Sequence, residues 1–268
     1  MTEGPSTRTA VLTGSASGMG AANRARLERE GWRVIGVDVG DAEVVADLST
    51  REGRAAAVTA VAELADGSIE AVVTWAGLSG LTGRAASLVA AVNYFGTVDV
   101  LEGLRPLLAA GRDPAAVVIS SNSTTIQPGV PLELVEALLA GDEPAALEVA
   151  DRGDSFAAYP ASKLAVARWC RRRATGDDWA GAGITLNAVL PGAVETPLLD
   201  ASRHDATVGA FVDALPIPSG APGSPEDLAG VVSFLLGPDA RFMVGSLLTV
   251  DGGSDALMRP DSVPVPMQ

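Results

Sequence analysis

Histidine and cysteine are almost absent from this sequence, with one of each in 268 residues. Cys170 alone rules out an intramolecular disulfide, which suits a reducing compartment. It sits between Trp169 and Arg171 in a helix-like run and reads as a packing residue. His204 alone excludes a zinc site built on several His or Cys. It also excludes a Ser-His-Asp triad unless that one residue serves. Aromatic residues make up only 4%, so Ala, Val, Leu and Gly must fill the interior. No apolar run approaches the ~18 residues of a membrane span. Met1 to Thr9 carries no apolar signal-like region, and a cytoplasmic location is expected. Positive charge is outnumbered, 19 Lys and Arg against 33 Asp and Glu, for a net charge of −14. Such a surface repels phosphate backbones and anionic membranes, so neither nucleic acid nor membrane is an expected partner.

What is present begins with Thr13-Gly14-Ser15-Ala16-Ser17-Gly18-Met19-Gly20. It follows the apolar run Ala10-Val11-Leu12 and opens a helix-like segment from Ala21 to Glu30. A strand, a glycine turn and a helix in that order form a phosphate site, with the turn giving backbone access and the helix its positive end. The alternative, a plain tight turn, loses weight because of this placement near the N-terminus. Arg33 to Val37 reads as the next strand and ends at Asp38, about 20 residues past the turn. A carboxylate there accepts from adenosine ribose hydroxyls and repels a 2′-phosphate. No Arg or Lys occupies positions 15–17 or 39–40, so NAD is expected over NADP.

Further strands are read at 43–46, 71–74, 115–119, 184–189 and 247–250, with helices at about 50–64, 85–108, 159–174 and from Ser224 onward. The expected fold is a Rossmann-like, doubly wound, mostly parallel seven-stranded sheet with helices on both faces. One domain spans 1–268. The stretch at about 122–158 reads as an insertion containing two short helices, 132–139 and 144–151. Residues 198–223, rich in Pro, Ser, Ala and Asp, suit a mobile lid over the site. The tail, Arg259 to Gln268, is expected to drape over the surface. Small residues at Ala76 and Gly77, closing the fourth strand, let backbone lie against an adenine or ribose.

Three residues combine into a chemistry. A phenol titrates near 10 in water and is a poor base at neutral pH. Tyr159 and Lys163 are four apart on one helix face, where the ammonium is expected to lower the phenol pKa against the effect of burial. Ser121, at the end of the fifth strand, supplies a hydroxyl to hold a substrate oxygen as charge develops. Each feature has an ordinary reading, a surface pair or a loop start. Together with the nucleotide turn they point to hydride transfer coupled to proton transfer at a secondary alcohol or ketone.

With these motifs on the page, the chain resembles the short-chain dehydrogenase/reductase family over essentially its whole length. The resemblance implies catalytic roles for Ser121, Tyr159 and Lys163, with Asn93 as a fourth member supporting a proton-relay water. It implies cofactor contacts at Gly14, Ser17, Gly18, Met19 and Gly20, at Asp38, Asp47 and Leu48, and at Ala76 and Gly77. Pro191, Gly192, Val194 and Thr196 match the segment that grips the nicotinamide, and Tyr159 and Lys163 also reach its ribose. Asp41-Ala42-Glu43-Val44, Val92 to Gly96 and Asp255 to Pro260 are similar to the bacterial 3α-hydroxysteroid dehydrogenase/carbonyl reductase branch. Two departures stand out. Thr74-Trp75-Ala76-Gly77 replaces the usual Asn-Asn-Ala-Gly, and Asn122-Ser123-Thr124 replaces small apolar residues. Leu198, Leu199, Phe211, Val212 and Leu215 in the lid suggest an apolar cyclic alcohol or ketone, such as a steroid or terpenoid. A catalytically inert NAD-binding regulator is the alternative of another class, and it would not need all three catalytic residues. Homodimers or homotetramers are implied, with the insertion able to block one of the usual contact faces.

Overall fold

Seven short apolar runs form one parallel sheet in this computed structural model, which describes residues 7–263. The strands are β1 (Thr9–Thr13), β2 (Arg33–Asp38), β3 (Val44–Val45), β4 (Ala71–Thr74), β5 (Ala115–Ile119), β6 (Thr185–Pro191) and β7 (Leu247–Val250). Their order is β3-β2-β1-β4-β5-β6-β7, and every pairing is parallel. The chain starts at mid-sheet, runs out to β3, then returns to β4 on the other side of β1. That reversal opens a crevice beyond the carboxyl ends of β1 and β4, where open sheets of this kind bind ligands. The sheet is all-parallel, slightly more uniform than the expected mostly parallel one.

The sheet is buried on both faces, as all-parallel sheets are. Alternate strand residues go to opposite sides. Val11, Val72, Ala116, Val118 and Leu186 pack with the helices α2 (Arg51–Leu64), α4 (Gly96–Ala109) and α8 (Ser155–Arg173). Ala10, Leu12, Val73, Val117 and Val189 pack with α1 (Gly18–Arg29) and α11 (Pro225–Leu235). Each such buried Val or Leu contributes about 1.5–3 kcal/mol, which lets a core poor in aromatics suffice. Cys170 lies in this core, and burial pushes its thiol up to about 12, as suits a packing residue.

Several elements differ from expectation. The helix expected at 85–108 is three pieces, α3 (Ala86–Ala90), a π-helical turn (Ala91–Phe95) and α4. The extra residue in that turn buries Asn93, Tyr94 and Phe95 together. The helix carrying Tyr159 starts four residues early. Asp154 caps it, accepting from the Ala157 N–H at 2.8 Å, so Tyr159 and Pro160 sit inside the helix instead of opening it. Pro160 has no N–H to give the Phe156 carbonyl, and Gln127 Nε2 donates to that oxygen instead at 3.3 Å. α1 likewise begins at Gly18, within the glycine turn. β3 is a two-residue strand, and β6 runs on to Pro191.

The insertion holds a one-turn helix, α5 (Ser123–Ile126), then the two expected helices, α6 (Leu132–Ala140) and α7 (Glu143–Ala150). α6 packs on α8, and α7 packs on α3. The lid is two short helices, α9 (Pro197–Arg203) and α10 (Gly209–Asp213). Ser224 and Asp227 form a capping box at the start of α11. α12 (Ser254–Met258) follows β7. The readings on Met1 to Ser6 and on the last residues of the tail, 264–268, fall outside the described residues.

Candidate active site

The crevice is one cleft with two connected chambers. The larger, about 410 Å³, lies over the glycine turn and is lined by Gly14, Ser17, Gly18, Met19 and Gly20. Asp38, Asp47, Leu48, Ala76, Gly77 and Thr196 complete the predicted residues on its wall. Gly14 has φ +65°, and a β-carbon there would sit 2.6 Å from the Ala76 N, so the β1 turn and the β4 end can meet only through glycine. Ser17, at the N-cap of α1, makes no side-chain cap bond, and the first turn holds no acidic residue. The helix therefore directs free N–H groups and its positive end at the cavity.

Asp38 closes β2, and its carboxylate accepts from the Ala16 N–H at 2.9 Å and the Val39 N–H at 2.7 Å. These bonds fix the carboxylate and leave acceptor capacity for ribose hydroxyls. Asp47 is steadied by the Ser49 N–H at 2.9 Å, and that bonding to Ser49 lowers its pKa. No arginine or lysine lines this chamber among the described residues. An uncapped helix end, a glycine-only contact and an anionic far wall fit a dinucleotide without a 2′-phosphate.

The smaller chamber, about 170 Å³, holds Ser121, Tyr159, Lys163, Pro191, Gly192 and Val194. Met19, Trp75, Gly77, Thr196 and Leu198 line both chambers. Three serines compete in sequence for one role, and their bonding separates them. Ser120 Oγ donates to the Lys163 carbonyl at 2.9 Å and is fully engaged with α8. Ser123 Oγ has no hydrogen-bond partner. Ser121 Oγ accepts from the Ser123 N–H at 3.1 Å and lines the chamber together with Tyr159.

Lys163 is 4% exposed, and its Nζ donates to the Ile119 carbonyl at 3.0 Å. Burial lowers its pKa to about 8. The expected lowering of the phenol is not what the protein's own groups produce. Burial raises the Tyr159 pKa, and the Ser121 hydroxyl only opposes this. The reason is geometric: the ammonium is turned to the end of β5 and does not pair with the phenol. A β-carbon on Gly77 would lie 3.2 Å from both Lys163 Nζ and Asn93 Oδ1, so Gly77 brings the cleft floor onto these two groups.

Asn93 does not line either chamber. It is fully buried behind the floor, where its Oδ1 accepts from the Leu78 N–H at 2.8 Å. Its Nδ2 donates to the Leu78 carbonyl at 3.0 Å and to Ser162 Oγ at 3.2 Å. The π turn thus pins the loop after β4. Thr196 caps α9, accepting from the Leu199 N–H and donating to the Val194 carbonyl, and its methyl lies beside Gly18. The Gly192 N–H donates to the Val250 carbonyl and Asn122 N to the Pro191 carbonyl, which hold the β6 end in place.

Trp75 belongs to the segment that departs from the usual Asn-Asn-Ala-Gly. Its indole Nε1 donates to Asn23 Oδ1 of α1 at 2.9 Å, and the Ala76 N–H donates to Thr13 Oγ1. Thr74 Oγ1, by contrast, has no partner. The lid closes the small chamber with Phe211, whose ring meets that of Phe156 edge-on at 5.7 Å. Phe156, Gln127 and Val208 also line it and were not singled out by sequence. Lys163 is the only lysine in the chain.

Comparison with known proteins places the fold. A family model described as enoyl-(acyl carrier protein) reductase matches residues 146–255. The chain is 40% identical to the 3-alpha-hydroxysteroid dehydrogenase/carbonyl reductase of Comamonas testosteroni, over 93% of this chain and 97% of that protein. It is 30% identical to the 3beta-hydroxysteroid dehydrogenase 1 of Eggerthella lenta, covering 92% and 93% of the two chains. The crystal structure of 3-alpha-hydroxysteroid dehydrogenase from Pseudomonas sp. B-0831 complexed with NADH superposes with a TM-score of 0.90 at 47% identity, over 94% of this chain and 99% of that one. The chain belongs to the short-chain dehydrogenase/reductase family.

Proposed function

We propose that this protein is an NAD-dependent oxidoreductase that interconverts a secondary alcohol and a ketone on an apolar cyclic substrate such as a hydroxysteroid. One observation carries this reading. Ser121 and Tyr159 line one apolar chamber that adjoins the glycine-turn chamber across Met19, Trp75, Gly77, Thr196 and Leu198. Relatives named for hydroxysteroid substrates, one of them with NADH bound, support it.

Gly14 to Gly20 would hold the diphosphate, Asp38 and Asp47 the adenosine, and Pro191 to Thr196 with Lys163 the nicotinamide half. NAD, when bound there, supplies the hydride acceptor. Ser121 orients the substrate oxygen by hydrogen bonding. Tyr159, as phenolate, takes the alcohol proton at its hydroxyl oxygen. Lys163, its Nζ held by the Ile119 carbonyl, would contact the nicotinamide ribose. Asn93 holds the cleft floor through its two bonds to Leu78. The lid and the Phe156–Phe211 pair exclude bulk water from the reacting end.

The small chamber favours compact cyclic alcohols, terpenoids included, as a second substrate reading. At about 170 Å³ it falls below the ~300 Å³ of a common ligand pocket, so a steroid would seat only its reacting ring there. The partner inside the cell is a second copy of the chain. α6 covers α8, one candidate contact face, while Phe234, Phe242 and Leu247 stand exposed about α11 and the β7 edge. The reading of the function is tested by NADH absorbance against a panel of steroid, terpenoid and simple cyclic alcohols. Turnover of at least one class is the expected result. NADH binding with no turnover on any member would support the inert regulator.

A further inference from the structure

Arginine is seldom fully buried, yet Arg54 in the first turn of α2 is 1% exposed. Its Nη2 donates to Glu143 Oε2 at 2.6 Å and its Nε to Asp99 Oδ2 at 2.8 Å. Its Nη1 donates to the Leu48 carbonyl at 3.3 Å, and the guanidinium lies over the Phe95 ring at 5.8 Å. Parts of the chain remote in sequence therefore meet on one planar cation. Glu143 opens α7 in the insertion, where the helix dipole also favours its carboxylate. Phe95 ends the π turn that holds Asn93. Leu48 lies between Asp47 and Ser49, and all three line the adenosine end of the larger chamber.

The Asp47–Ser49 segment has no regular structure, so its position depends on what grips it. The grip is a fork held rigid by two carboxylates, a geometry only a guanidinium provides. One of those carboxylates is Glu143, which comes from the insertion. We propose that Arg54 is a positioning residue for the adenosine half of the dinucleotide site, and that the insertion, through Glu143, sets the affinity for the cofactor. This rests on the NAD reading given above.

The test must separate positioning from simple stability. A buried ion pair can be replaced by apolar residues of similar volume without loss of stability, whereas removing one member leaves a buried charge. The Arg54→Met/Glu143→Met double variant leaves Asp99 unpaired, but with its side chain 42% exposed to water, and should therefore melt near the parent temperature but lose the grip on Leu48. Arg54→Lys keeps the charge opposite Glu143 and Asp99 while losing the fork. Both are read by calorimetric titration with ADP-ribose, which carries the adenosine half alone, and by kcat at saturating NAD.

The expected result for each variant is ADP-ribose binding about tenfold weaker with kcat within twofold of the parent. Parental ADP-ribose affinity in a folded variant, or a fall in kcat equal to the loss of affinity, would overturn the proposal. If the double variant fails to fold, Arg54→Lys decides alone. A parent protein that binds neither ADP-ribose nor NADH would instead remove the cofactor reading and this inference with it.

Discussion

Single side chains carry the chemistry, and the residue scale gives the sharpest expectations. Ser121→Ala removes one donor to the substrate oxygen and is predicted to lower kcat by about 10²–10³-fold, as loss of an oxyanion donor does. NADH affinity, measured by fluorescence, should hardly change. Lys163 is the only lysine, and its amine titrates near 8. An acylating reagent at mildly alkaline pH should label one side chain, and NADH should protect it. Peptide mapping checks this, and equal labelling with and without NADH would place Lys163 outside the cofactor site.

The same residue predicts a pH dependence of stability. The unfolded chain keeps the Lys163 proton to about 10.5, while the folded one loses it near 8. Between those values the unfolded state binds more protons, so this contribution to stability rises with pH. Below 8 the cost is constant at about 3 kcal/mol. The stability difference between Lys163→Met and the parent should thus shift in favour of the parent by about that amount between roughly pH 7.5 and pH 10.5. Denaturant titrations of both at the two pH values measure it. The placement of Tyr159 and Lys163 on one chamber wall was legible from a four-residue spacing beside a nucleotide turn. The direction of the phenol shift was not, because spacing places an ammonium on the same face without saying that it turns to the Ile119 carbonyl. Ser121 was singled out over Ser120 by the family resemblance alone, and what each hydroxyl meets supplies the physical difference.

Elements were legible where local patterns are strong. The seven strands are apolar runs bounded by turn residues, and the Ser224–Asp227 capping box is written in the sequence. Misplacements arose where a tertiary contact overrides a local rule. Pro160 favours the start of a helix, but Gln127 takes over the carbonyl that proline leaves unserved, and the helix begins at Ser155. The π turn at Ala91–Phe95 has no local signature beyond a polar Asn93 in an apolar pattern. Such turns recur at functional sites, and this one serves the cleft floor.

The lid carries its own device. Asp205 accepts from the Thr82 N–H at 2.7 Å, from Thr82 Oγ1 at 2.9 Å and from the Thr207 and Val208 N–H groups. Those bonds, the one from the Thr82 N–H first, hold its carboxyl at about 2. Asp205→Ala frees the lid from the loop after β4. It is predicted to raise the KM for the alcohol several-fold and to speed proteolytic cleavage between residues 198 and 215. Unchanged cleavage would mean that the Phe156–Phe211 contact alone keeps the lid down.

At the scale of the whole molecule, the acidity noted at the outset takes a bland role. The charge is spread over a surface with many ion pairs, while the dinucleotide chamber itself presents Asp38 and Asp47 and, among the described residues, no Arg or Lys. Asp38→Ala should accordingly improve the use of NADP relative to NAD, measured as the ratio of kcat/KM values, and an unchanged ratio would contradict the assigned adenosine end. Exposed Phe242 and Phe234 predict association through α11 and β7, and Phe242→Asp should move the sedimentation coefficient toward that of a monomer. The central claim is that the Tyr159 hydroxyl is the group that exchanges the substrate proton. The most direct measurement is turnover of the preferred alcohol by Tyr159→Phe, alongside its NADH binding. Loss of turnover by at least about 10³-fold with NADH affinity unchanged is the predicted result; turnover near the parent rate would contradict the account.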